Sequence, residues 1–179
     1  INGNAQDFLV GVEESHGLLL TPEIRDKDAA GGALLLAELA SLEKKKGRTL
    51  LDVLEDIWTE HGRVANVLLS LVMRGASGRQ QIEAIQDSLR RESPEYVAGR
   101  RCVQVTDHQN PDGLHGPIRS HTDLASRNVL SFELEGGARV IVRPSGTEPK
   151  SKVYAELYGA VGDSQAGVED KCLELAQDF

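Results

Sequence analysis

The sequence predicts an α/β domain followed by a small α+β domain. The first is a three-layer arrangement, a mixed sheet with helices, over residues 1–94; the second, over residues 95–179, is a four-stranded antiparallel sheet with a C-terminal helix. Three observations carry this reading. Stretches 29–46 and 50–61 place apolar residues at helical spacing. The later part of the chain holds short alternating runs rich in Val, Ile and Tyr, the strand pattern. Between them stands Ser93-Pro94, and the residue before a proline is pushed out of the helical region. A length of 179 residues suffices for one large or two small domains.

Phe8 to Val12 is an apolar run that reads as a strand delivering Glu13-Glu14-Ser15 to a loop. Carboxylates beside a hydroxyl accept hydrogen bonds from the vicinal hydroxyls of a sugar; a solvated acidic turn uses the same residues. Ile24-Arg25-Asp26-Lys27-Asp28 then leads into a helix over Ala29–Lys46, with Asp28 as its N-cap. Leu34, Leu35, Leu39 and Leu42 form its apolar face. Gly31 and Gly32 weaken its first turn by about 1 kcal/mol each relative to Ala, which suggests another backbone packing close. Lys44, Lys45 and Lys46 read as a solvated helix end, favoured there by the helix dipole.

A second helix runs from Leu50 to His61, with Leu50, Val53, Leu54, Ile57 and Trp58 on one stripe, and Gly62 stops it. Val64 to Met73 reads as a strand, although its long apolar run also fits a buried helix. Arg79 to Arg91 is a helix with Ile82, Ile85 and Leu89 inward. Past Pro94, Gly99 to Val105 is a strand. Asp107 to Arg127 is polar and contains His108, His115 and His121, but in no metal-ligating spacing, and reads as a long surface loop. Strands follow at Val129–Leu134, Ala138–Val142 and Val153–Leu157, with Gly136-Gly137 as a hairpin signal. A last helix over 163–179 turns Val168, Cys172, Leu175 and Ala176 to the sheet.

The richest chemistry sits between the last two strands, in Arg143-Pro144-Ser145-Gly146-Thr147-Glu148-Pro149-Lys150. Arg143 offers a planar fork of donors matched to a phosphate or carboxylate. Ser145 and Thr147 offer hydroxyls, and Gly146 lets consecutive N–H groups turn toward one anion. Pro144 and Pro149 stiffen the shoulders, and Lys150 and Lys152 add charge. A plain hairpin turn uses many of the same residues. The formal net charge is −8, so an anion site must be local, and a general nucleic-acid or anionic-membrane surface is disfavoured.

This RPSGTEPK loop resembles the phosphate-binding loop in the last domain of the α-D-phosphohexomutases, the family of phosphoglucomutases and phosphomannomutases. Val10 to Gly17, VGVEESHG, is similar to that family's sugar-recognition loop in the third domain, and Ile24 to Asp28 to the basic–acidic segment lining the same cleft. The stretch Asn128 to Tyr158 resembles the family almost throughout. The resemblance implies substrate binding by Glu13, Ser15, His16, Arg25 and Lys27, and phosphate binding by Arg143, Ser145, Gly146, Thr147 and Lys152. It implies a sugar phosphate as substrate, a bisphosphorylated sugar of the glucose 1,6-bisphosphate type as intermediate, and Mg2+ in the full-length enzyme.

The family's catalytic serine, in a Ser-His-Asn-Pro-like context, and its Asp-Gly-Asp-x-Asp-Arg magnesium loop have no counterpart here. Ser15-His16 and Ser120-His121 continue into Gly17 and Thr122. The resemblance therefore implies a C-terminal half with no catalytic residue and no metal site of its own, inactive alone and partnered by N-terminal domains of the same protein. A start at Ile1 fits that expectation. The segment Arg25-Asp26-Lys27-Asp28 also resembles the phosphopentomutase branch, so a pentose phosphate is an alternative; a non-catalytic sugar-phosphate-binding module is another. Cys102 and Cys172 imply no disulfide framework and point to a reducing cytoplasm. No apolar run reaches the ~18 residues of a membrane span, and no leader opens the sequence.

Overall fold

The computed structural model describes residues 7–13, 16–24, 26–75, 77–146 and 148–179. They form two compact units, Ile1–Ile57 and Trp58–Phe179. The division falls well before Pro94, the boundary expected from the sequence. Residues 64–72 hydrogen-bond along their whole length to a strand of the second unit, and that pairing outweighs the break in local pattern at the proline.

In the first unit, β1 (Gly11–Val12) pairs antiparallel with β2 (Leu18–Leu19). Helix α1 (Ala29–Lys45) starts where expected: Asp28 is in extended backbone and its carboxylate accepts from the Gly31 N–H at 3.1 Å. The close neighbour of the paired glycines is a side chain, not a backbone. A Cβ on Gly32 would lie 3.3 Å from Leu18, and one on Gly31 only 2.4 Å from the capping Asp28. Among the described residues of this unit, nothing covers the expected apolar face. Leu34, Leu35, Leu39 and Leu42 are exposed, while Gly32 and Glu43 are buried. Glu43 is held by Lys46 at 2.6 Å and by Nε of Arg48 at 3.2 Å. Helix α2 (Leu50–His61) follows, its start stabilised by the Asp52 carboxylate accepting from Thr49 N–H at 2.6 Å. The described residues of this unit hold a two-stranded sheet and helices.

The second unit is built on one antiparallel sheet of six strands, two more than expected. They are β3 (Val64–Val72), β4 (Tyr96–Val97), β5 (Arg100–Asp107), β6 (Leu130–Leu134), β7 (Ala138–Pro144) and β8 (Lys150–Tyr158). Their order in space is β3-β8-β7-β6-β5-β4. The first extra strand settles the ambiguity of the 64–73 run in favour of a strand. The second arises from a tight turn at Ala98-Gly99, both with positive φ (48° and 70°), the backbone that joins twisted hairpin strands. Helices α3 (Gly78–Arg91), α4 (His121–Ser126) and α5 (Gln165–Asp178) complete the unit.

Alternation along the strands sets one buried face. Ala65, Leu130, Phe132, Leu134, Ala138, Val140, Val142, Ala155 and Leu157 are all buried. Helix α5 lies on this face with Val168, Cys172, Leu175 and Ala176 buried, the four positions expected to pack there. Its N-cap is Ser164, accepting from Gly167 N–H at 3.1 Å. The Phe179 ring meets Phe132 with centroids 5.2 Å apart. The opposite face carries a polar ladder, where Arg139 pairs with Glu156 and lies 3.7 Å from Glu133.

Candidate functional site

The hairpin of β7 and β8 presents the RPSGTEPK loop. Arg143 and Lys152 are register partners, so they project from one face of the sheet as a pair. The loop is closed by Ser145 N–H donating to the Lys150 carbonyl at 2.8 Å, and by Glu148 N–H donating to the Ser145 hydroxyl at 3.3 Å. Lys150 is neutralised by Glu148 at 2.5 Å, a hydrogen bond that holds the Glu148 carboxyl below its usual range. Among the described residues, neither Arg143 nor Lys152 is engaged in an ion pair; the Lys152 ammonium lies 5.8 Å from the Tyr154 ring centroid.

Arg143, Pro144, Ser145, Gly146 and Lys152 together line a cavity of about 360 Å3. Four of the five residues expected to bind phosphate are thus gathered at one place; Thr147 lies outside the described residues. Gly146 does not adopt positive φ, so the turn does not depend on left-handed backbone there. Space around it is open: a Cβ at this position would meet nothing within 4 Å. The arrangement supplies two cations and a hydroxyl to an anion, but no nucleophile with an adjacent base.

The second cluster is in the first unit, in the loop between β1 and β2. Glu13 N–H donates to the Gly17 carbonyl at 2.9 Å and His16 N–H to the Glu13 carbonyl at 3.1 Å, with His16 at a φ of 68°. Lys27 reaches over this turn to Glu13 at 3.6 Å, and also lies 3.6 Å from Asp26. The backbone N–H of Lys27 donates to Asp26 at 2.7 Å, which lowers the Asp26 carboxyl's pKa first; the Lys27 charge adds to it. Gly17 makes the approach feasible, because a Cβ there would stand 2.6 Å from the Glu13 carboxylate and 2.7 Å from the Lys27 chain. Glu13 and Lys27 line a cavity of about 270 Å3 with Asp26 and the two strands. His16 is exposed beside it. Ser15 and Arg25, the other two residues expected here, lie outside the described residues.

Two features were missed from sequence. Pro144 lines the cavity of about 360 Å3 as well as stiffening its edge. Gly17 is the position that lets Glu13 and Lys27 meet, and a lone glycine in a loop gives no signal of that. Among the described residues, no group of three or more His, Cys, Asp or Glu is placed to hold a metal ion. The described residues therefore do not fit the Mg2+ that the resemblance attaches to the full-length enzyme. No helix among them is long and apolar enough to cross a membrane.

Comparison with known proteins matches both parts of the chain. Residues 2–61 match the α/β/α domain III of phosphoglucomutase/phosphomannomutase, and residues 103–169 match the C-terminal domain of the same family. A phosphoglucomutase from Staphylococcus haemolyticus is 35% identical over 156 residues, 86% of this chain and 28% of the relative. One from Staphylococcus epidermidis is 36% identical over 154 residues, 85% of this chain and again 28% of the relative. The chain thus spans little more than a quarter of the length of these relatives. Among solved structures, the open form of the exocytosis-sensitive phosphoprotein pp63/parafusin from Paramecium, described as a phosphoglucomutase, superposes with a TM-score of 0.59. It is 16% identical and covers 92% of this chain and 28% of its own, a likeness of fold.

Proposed function

Because the chain belongs to the phosphoglucomutase/phosphomannomutase family, comprising its third and fourth domains, we propose that it is the substrate-holding half of an enzyme that moves a phosphoryl group between two positions of a sugar. The observation that supports this best is the Arg143–Lys152 pair beside Ser145 and Gly146 at one cavity. A phosphate dianion placed there meets two positive charges, and charge-assisted hydrogen bonds contribute about 1.5–3 kcal/mol each. In this reading the hairpin clamps whichever phosphate is not reacting. Phosphate symmetry lets one clamp serve both ends of a bisphosphorylated sugar, so positioning and charge do most of the work.

Glu13, Ser15, His16, Arg25 and Lys27 read the sugar in the same proposal. The Glu13 carboxylate accepts from vicinal hydroxyls, and the Lys27 ammonium, now shared between Glu13 and Asp26, offers a donor. Thr147 adds a hydroxyl to the clamp. The phosphoserine and Mg2+ are supplied by domains outside this chain, so the chain alone does not interconvert sugar phosphates. The compartment is a reducing cytoplasm, in keeping with the two free thiols.

The test is calorimetric titration with glucose 1,6-bisphosphate at low and high salt, on the native protein and on Arg143→Ala. Removing one charge-assisted contact weakens binding roughly 10- to 100-fold, and salt weakens the native complex too. An affinity unchanged by Arg143→Ala would rule out the clamp. Comparing ribose 1-phosphate with glucose 1-phosphate as substrates of the full-length protein separates a pentose from a hexose preference.

A further inference from the structure

The face of the sheet opposite Arg143 and Lys152 contains a second cavity, of about 470 Å3, in the space between α3 and the end of α5. Its walls are Leu69, Ile85, Leu89, Val142, Val153 and Phe179, with Ser151 among the few polar groups, and no charged side chain lines it. This volume falls within the ~300–1,000 Å3 of small-molecule sites. Ser151 is 3% exposed, and among the described residues its hydroxyl has no hydrogen-bond partner. Water is a poor occupant, since it needs roughly two to four polar partners, and the lining is dominated by aliphatic side chains.

We propose that this cavity is a binding site for a small neutral apolar molecule carrying one hydroxyl or carbonyl group. The aliphatic part would cover Leu69, Leu89, Val142 and Val153, and the polar head would complete the Ser151 hydroxyl. Neutrality follows from the lining, which offers no cation to a carboxylate and no anion to an amine. The site is separate from the anion cavity: Ser151 and Lys152 are consecutive in β8 and point to opposite faces. The two cavities have no lining residue in common.

The probe is 1-octanol, with n-hexane as a control that lacks the head group, added to the purified protein while methyl NMR signals of Leu69, Leu89, Val142 and Val153 are followed. Saturable shifts confined to these methyls are expected with both. Ser151→Ala should weaken 1-octanol roughly three- to tenfold, the worth of one net hydrogen bond, and leave n-hexane unchanged. Leu89→Trp or Val153→Phe, whichever retains a native thermal transition, should fill the space and abolish both. Shifts spread over the surface, or absent, would overturn the site. Equal 1-octanol affinity in Ser151→Ala would overturn the role of the hydroxyl, and undiminished binding in a folded filling variant would overturn the location.

Discussion

His108 places its Nδ1 3.0 Å from Nε2 of His115, so one ring must donate the proton that the other accepts. Both cannot carry a full charge at that distance without repulsion. Burial first, and the His115 charge second, hold the His108 pKa below its ordinary 6.5, while Asp107 pulls it back up. The folded state then binds fewer protons than the unfolded chain just below that value. Stability attached to His108 is therefore complete above about pH 6.5 and is lost as pH falls through the lowered folded value. Urea denaturation at about pH 7.5 and pH 5.5 should show weaker folding at the lower pH. His108→Gln should remove part of that difference; an unaltered difference would mean that other groups cause it. The spacing of these histidines revealed nothing of their pairing, because six residues of irregular backbone lie between them and only the folded loop brings them together. By contrast, Arg143, Ser145 and Gly146 were legible as a group because they are nearly consecutive, and adjacency in a turn guarantees proximity.

Helix α1 shows how an element is specified at its ends and left open along its side. The sequence marks the start well: Asp28 caps through Gly31, and a side chain at residue 31 would press on the capping carboxylate. Asp28→Ala should therefore lower stability by about 1 kcal/mol, measurable as a reduced melting temperature; Asp28→Asn or Asp28→Ser, which keep an acceptor, should lose less. The side of the helix was not legible. Helical spacing identifies a stripe of leucines but not what covers it, and among the described residues of the first unit these leucines are exposed. Helix α4 was missed inside a polar stretch, yet the signal was present. Ser120 caps the helix by accepting from Asp123 N–H at 3.0 Å, and Asp123 reaches back to accept from Arg119 N–H, one residue before the cap, at 2.9 Å, close to the capping-box pattern. Strand β4 was missed for a different reason: Ala98 is a poor turn residue by type, and its positive φ is held by Asp178 of α5, which accepts from the Ala98 N–H.

At the scale of the molecule, the second unit contains most of the buried apolar residues, and its sheet was the most legible part of the chain. Period-two alternation fixes which side of a strand is inward, so β6, β7, β8 and the face of α5 could be read directly. The width of the sheet could not, because β3 joins it from across α3 and Pro94, and pairing between distant segments leaves no local mark. The compact units divide differently from the sequence pattern at Pro94, because the hydrogen bonds of the second unit's sheet reach back to Val64.

Cys172 sits beneath this sheet with no exposure, its thiol directed to the carbonyls of Ala155 at 3.3 Å and Ala65 at 3.6 Å. Burial raises its pKa, which suppresses the reactive thiolate. A thiol reagent can reach it only after α5 parts from β3 and β8, so the rate of its labelling is a clock for that opening. Cys102, half-buried in β5, should react first, and Cys172 orders of magnitude more slowly at a rate that rises with denaturant. Two equal, fast phases in native buffer would mean that α5 detaches freely. A thiol placed far from the RPSGTEPK loop thus measures how long the sheet carrying that loop stays closed.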